Sequence, residues 1–162
     1  MGRSLIDFQL QETTKNYPDS TIKLLVFDLG KLTLALPVEQ VQKVIKHSAI
    51  YGSGLSYVNL LHLGEQEVAV IDLHRKLFKV SQPEIFNDKG YFIISKSVIG
   101  EPLGIMVAQT PSLIDVSLDR VRTLPNSYRH ADTLAIASHV AVIPQPDNKS
   151  LTVFILDLKE LI

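Results

Sequence analysis

The chain has 162 residues, 46% of them hydrophobic and 20% charged, the mixture of an ordinary globular domain. Sixteen Lys+Arg against 17 Asp+Glu leave a formal net charge of -1, which argues against a nucleic-acid binder or a polybasic membrane patch. With no cysteine, disulfide scaffolds, thiolate metal sites and cysteine nucleophiles are excluded, and the composition fits a reducing cytoplasm.

Residues 1–20 read as a polar, loosely held arm whose short apolar piece, Leu5, Ile6, Phe8 and Leu10, is able to dock. They lack the apolar core of a signal peptide, and no apolar run approaches the ~20 residues a membrane helix needs. From Ile22 the signal is β. Residues 23–29 are rich in Leu, Val and Phe, Gly30-Lys31 interrupts, and residues 32–36 alternate with period two, which predicts a hairpin. Pro37 ends its second strand. Val38, Val41, Val44 and Ile45 then follow helical spacing with polar residues between them, which predicts a short amphipathic helix or helical turn.

Strands are predicted over 55–63 and 68–71, the two being separated by a turn at Gly64-Glu65-Gln66. Asp72 is placed to cap a helical turn over 73–78. After a polar loop the grammar repeats. Residues 91–94 and 103–107 form a second hairpin pattern, 113–121 are mixed, and 123–132 read as a loop. Strands over 134–143 and 151–156 lead to a closing helical turn.

Residues 68–77 parallel residues 152–161: each runs an apolar strand, Asp-Leu, polar residues and a closing Leu. Two such units are too few for a solenoid and imply two similar small β-barrels of short strands packed as one domain. Closure of short strands also hides their edges.

No catalytic constellation appears. The five histidines show no i, i+4 metal pair, although His62 and His74 flank one hairpin, and a surface or hydrogen-bonded role suits them better. Asp72 and Asp157 read either as helix caps or as a carboxylate pair, and their equivalent places in two repeats favour caps. Neither a nucleophile elbow nor a glycine-rich phosphate cradle is present. The cluster His74-Arg75-Lys76 and Lys79 beside Phe78 reads as a solvated helix face, or as a weak patch for phosphate or an acidic partner. A mean hydropathy of +0.17 is high for a small soluble monomer and points to a protein-binding module.

The segments Leu25-Val26-Phe27-Asp28-Leu29-Gly30, Ala35-Leu36-Pro37-Val38-Glu39-Gln40-Val41, Val68-Ala69-Val70-Ile71-Asp72-Leu73, Gly104-Ile105-Met106-Val107 and Ile155-Leu156-Asp157-Leu158, in that order, resemble the CheW-like domain. The resemblance runs from about residue 22 to 162. It implies a mainly β fold of two packed five-stranded barrels similar to Src-homology-3 barrels, with short helices. It also implies a non-catalytic adaptor without cofactor or metal, which couples methyl-accepting chemoreceptors to the histidine kinase CheA. The kinase would be bound through apolar surface on the first barrel and the receptor through a groove between barrels. The expected organisation is an arm over 1–20 and one domain over 21–162. Its subdomains would cover about 21–85 and about 90–150, with the C-terminal strand or helix able to cross over. Cytoplasmic residence at receptor arrays follows from the same resemblance.

Where the family has an Asn-Leu-Arg-Gly turn, this chain has His62-Leu63-Gly64-Glu65, so the arginine is missing. A specialised adaptor for type IV pilus or phototaxis signalling suits that change. By position, Val41 and Val44 fall in a segment associated with partner contact, and Leu60, Leu63 and Gly64 lie in or beside the receptor-facing turn. The plain alternatives are core packing for the valines and a turn residue for Gly64. Rival functions are a barrel binding a small apolar molecule, a regulator that has lost receptor binding, and an enzyme using His62, His74 or Asp72.

Overall fold

The computed structural model describes residue 6 and residues 20–52, 57–82, 89–96, 100–129 and 135–161. Most of the N-terminal arm, Ser53-Gly54 and His130 lie outside these residues. The chain is mainly β, with strands placed where branched and aromatic residues alternate between turn residues. β1 (Thr21–Leu29) and β2 (Leu32–Pro37) form the expected hairpin around Gly30 and Lys31. Gly30 holds φ +60° at the first position of this two-residue turn, a conformation glycine adopts without steric cost.

Pro37 closes β2, and a 3-10 turn η1 (Val38–Gln40) leads into β3 (Val41–Lys46). β4 (Tyr51–Gly52), β5 (Val58–Leu63) and β6 (Gln66–Ile71) follow, then helix α1 (Leu73–Phe78). The second half has β7 (Tyr91–Ser95), β8 (Leu103–Val107), β9 (Ser112–Ser117), a 3-10 turn η2 (Leu118–Arg120) and β10 (Val121–Thr123). It ends with α2 (Asn126–Arg129), β11 (Ala137–Pro144), β12 (Ser150–Leu156) and a 3-10 turn η3 (Leu158–Leu161).

Contacts group the chain as two compact units, each drawn from more than one stretch of sequence. Unit 1 takes residues 1–26, 33–38 and 112–160; unit 2 takes 27–32, 39–111 and 161–162. Unit 1 carries the sheet β10-β11-β12-β2-β1-β9, whose core includes Ile22, Leu24, Ala35, Val116, Val153 and Ile155. Ile6, from the apolar piece of the arm, is buried in that same core. Unit 2 carries the sheet β3-β7-β8-β6-β5-β4, with Leu61, Val70, Phe92, Ile94 and Met106 clustered on one face.

The two sheets share a pairing pattern, which the sequence repeat anticipates. β12 runs parallel to β2, with Phe154 opposite Leu34, and β6 runs parallel to β8, with Val70 opposite Gly104. β6 and β12 are each followed by an aspartate that caps the next turn. Asp72 Oδ1 accepts the Arg75 N–H at 3.0 Å, its Oδ2 accepts from Ser81 Oγ, and Asp157 Oδ1 accepts the Lys159 N–H at 3.2 Å. The backbone agrees as well: Asp72 N–H donates to the Tyr57 carbonyl and Asp157 N–H to that of Ile136, both at 2.8 Å.

Three details differ from expectation. Each sheet has six strands where five were expected, because the short β4 and β10 add to the edges. The helix expected from Val38 onward is confined to η1, since Val41, Val44 and Ile45 are branched residues that fit a pleated strand. The mixed segment after Leu113 is β9 followed by η2, and the loop predicted over 123–132 contains α2.

Candidate docking surface

The candidate residues all lie in unit 2. The β3–β7 ladder pairs Val41 with Ser95, then shifts register, then pairs Lys43 with Ile94 and Val44 with Ile93. Gln42 is thus the extra residue of a β-bulge. The bulge puts Val41 and Val44 on one face despite their three-residue spacing, while Lys43 and Ile45 take the other. Val44 is 38% exposed and Val41 half-buried. Ile45 packs against the Leu61–Phe92–Ile94 cluster.

Leu61 and Leu63 on β5 join that cluster, so Leu60 and His62 face the opposite way. Leu60 stands opposite Ala69 on β6 and Tyr51 on β4. Ala69 in turn stands opposite Leu103, whose N–H donates to Ser95 Oγ at 2.9 Å. One row therefore crosses the sheet: Val41, Ser95, Leu103, Ala69, Leu60, Tyr51. Ser95 and Leu103, in its middle, are buried. Its ends open to solvent, with Leu60 half-buried and Tyr51 56% exposed. The Tyr51 ring meets His62 edge-on at 5.3 Å, and His62 Nε2 lies 3.9 Å from Glu67.

Leu63 and Gly64 belong elsewhere. They line a cleft of about 320 Å³ with Gln42, Lys43, Gln66, Val68, Ile94 and Pro102. Gly64 holds φ +62° in the tight β5–β6 turn, so it is the turn residue by conformation as well as a cleft residue. No arginine stands in this turn; the cation on the cleft is Lys43, reaching it from β3.

The five candidates thus divide in two. Val41, Val44 and Leu60 share one sheet face, and Leu63 and Gly64 sit at the cleft. Tyr51 was not identified from sequence. It lies on a two-residue strand, too short for any alternation to mark it.

Acid–base chemistry finds little support in these surroundings. Asp72 is buried and committed as a cap, and His74 is committed to the Val80 carbonyl. His47 packs on Phe92, and His139 is buried with Nδ1 hydrogen-bonded to Ser138 Oγ at 2.7 Å. Among the described residues no group of three His, Asp or Glu side chains stands together as a metal site would require. No helix among them is long and apolar enough to cross a membrane.

The profile of the CheW-like domain matches residues 23–162. The chain belongs to the CheW-like domain family. Its CheW-like fold is also seen in the crystal structure of the scaffolding protein TtCheW from Thermoanaerobacter tengcongensis. That similarity has a TM-score of 0.68 at 19% sequence identity and covers 86% of each chain. No curated protein matches the sequence.

Proposed function

We propose that this CheW-like chain is a non-enzymatic signalling adaptor that couples methyl-accepting chemoreceptors to a CheA-like histidine kinase in chemotaxis, phototaxis or type IV pilus motility. Membership of the family over residues 23–162 carries the reading. The mechanism is positional. The adaptor works in the cytoplasm at receptor arrays, holds kinase and receptor together and passes conformational bias between them. Specific interfaces bury roughly 1,200–2,000 Å² and depend on a few apolar anchors. The exposed Val44 and Tyr51 and the half-buried Val41 and Leu60, all on one sheet face, suit one such contact. The cleft at Leu63 and Gly64 suits a second contact, with Lys43 supplying the charge that the turn lacks.

The test is a pull-down from the source cell's extract, using the wild-type chain and Val44→Asp and Leu60→Asp variants. The wild type is expected to recover a histidine kinase with a CheW-like regulatory domain, together with its receptor. Removing an anchor costs about 2 kcal/mol, a loss of more than tenfold in affinity, so both variants should lose a partner. Both should keep the wild-type circular dichroism spectrum, Val44→Asp most surely because of its exposure. Recovery of neither kinase nor receptor by the wild type sinks the adaptor reading.

A further inference from the structure

A second surface of unit 2 plays no part in that reading. Helix α1 carries His74 and Phe78 one turn apart, with ring centroids 4.8 Å apart. After Phe78 the chain turns back through Lys79, which holds φ +69° and donates its N–H to the Arg75 carbonyl. His74 Nδ1 is 2.5 Å from the Val80 carbonyl oxygen, which pins the returning segment to the helix. The β1–β2 turn lies against the same two rings: a Cβ on Gly30 would stand 3.5 Å from His74 Nε2 and 3.8 Å from Phe78 Cε2. Turn, helix and returning segment therefore form one fixed face. It leaves Phe78 37% and Val80 58% exposed.

Among the described residues three basic side chains flank these two apolar ones. Lys31 follows Gly30 in the turn, Arg75 precedes Phe78 by one helical turn, and Lys79 lies between Phe78 and Val80; all three are exposed. Among the described residues none of the three has a carboxylate partner. Lys76 is not part of this set. Its Nζ donates to the Leu161 carbonyl at 3.0 Å and sits 5.0 Å above the Tyr57 ring. Asp72, the carboxylate at the start of the same helix, is buried under its own capping bonds.

We propose that this face docks an acidic amphipathic segment of a partner protein, its apolar side chains on Phe78 and Val80 and its carboxylates toward Lys31, Arg75 and Lys79. Charge complementarity selects this occupant. An anionic membrane would gain only about 1 kcal/mol per basic residue, and two apolar side chains add too little for stable anchoring. The proposal does not depend on the adaptor reading, because it rests on a different surface.

A random-peptide library displayed on phage, selected on the immobilised full chain, tests it. Enriched peptides should carry Asp or Glu beside Leu or Phe. Resynthesised, they should bind the wild type about tenfold or more tighter than a Phe78→Ser/Val80→Ser variant or an Arg75→Glu/Lys79→Glu variant. Binding should weaken as salt rises. Arg75 and Lys79 are exposed, so the charge-reversal variant should keep the wild-type melting curve, and the double-serine variant should keep the wild-type circular dichroism spectrum. Enrichment of basic or uncharged peptides overturns the proposal, as does equal binding to wild type and variants. Patch-dependent binding to phosphatidylserine vesicles in place of peptides would assign the face to lipid. Patch-dependent dimerisation in sedimentation would assign it to a second copy.

Discussion

Asp72 and Asp157 stand at matching points of the two repeats, yet their surroundings give them different weight. Asp72 is buried and accepts from both the Arg75 N–H and Ser81 Oγ, so it ties the start of α1 to the segment that follows the helix. Removing its carboxylate leaves two part-buried donors without their acceptor. Asp72→Ala should therefore cost about 2 kcal/mol, the upper end for a cap with an unsatisfied neighbour added. The bond from Lys159 to Asp157 is longer and exposed, and water replaces it readily. Asp157→Ala should cost only about 0.5 kcal/mol. Urea unfolding of the two variants checks the contrast. Equal losses would show that the repeat, and not burial, sets the worth of the cap. The capping role itself was legible from an aspartate between an apolar strand and a polar turn. The burial that separates the two was not, because it depends on Ser81 and on neighbours outside the motif.

At the level of elements, turn chemistry was the most readable signal and strand pairing the least. Gly30 and Gly64 mark their hairpins in the sequence, and both hold the positive φ that explains them. The β11–β12 turn achieves the same geometry without glycine. Asp147 and Asn148 hold φ +64° and +59°, and the Lys149 N–H points to the Pro146 carbonyl at 3.4 Å, the pattern of a type I′ turn. Asparagine tolerates this conformation but glycine suits it better. Asn148→Gly should thus stabilise the protein by about 0.5 kcal/mol, and Asn148→Val should destabilise it by about 1–2 kcal/mol. Thermal melts of the pair decide it, and an Asn148→Val variant as stable as the wild type would refute the turn assignment. β3 shows the opposite case. Val41 and Val44 are three residues apart, which mimics a helix, but the bulge at Gln42 restores them to one strand face. No residue type announces that bulge. The assignment of the valines to a partner-contact segment accordingly rested on resemblance and not on pattern.

The whole molecule is organised by an exchange that local signals do not encode. The strands of unit 2's sheet, β3 through β8, come from a single stretch of chain. Unit 1 must bring β1 and β2 to β9 and β12 across that stretch, with Leu34 finding Phe154 and Leu25 finding Leu113. Closing so long a loop costs entropy before any contact repays it, so unit 1's sheet should form after unit 2's. A fragment ending at Pro111 separates the two. It keeps all the strands of unit 2's sheet but deprives β1 and β2 of both outer neighbours. Amide hydrogen exchange on this fragment should remain slow at Val70, Phe92, Ile94 and Met106. It should become fast at Leu24, Val26, Leu34 and Ala35, whose amides rely on a sheet that no longer exists. Slow exchange at both sets would mean that the hairpin is stable without β9 and β12. Fast exchange at both would mean that unit 2 requires the rest of the chain, and that the two units fold as one cooperative body despite their separate sheets.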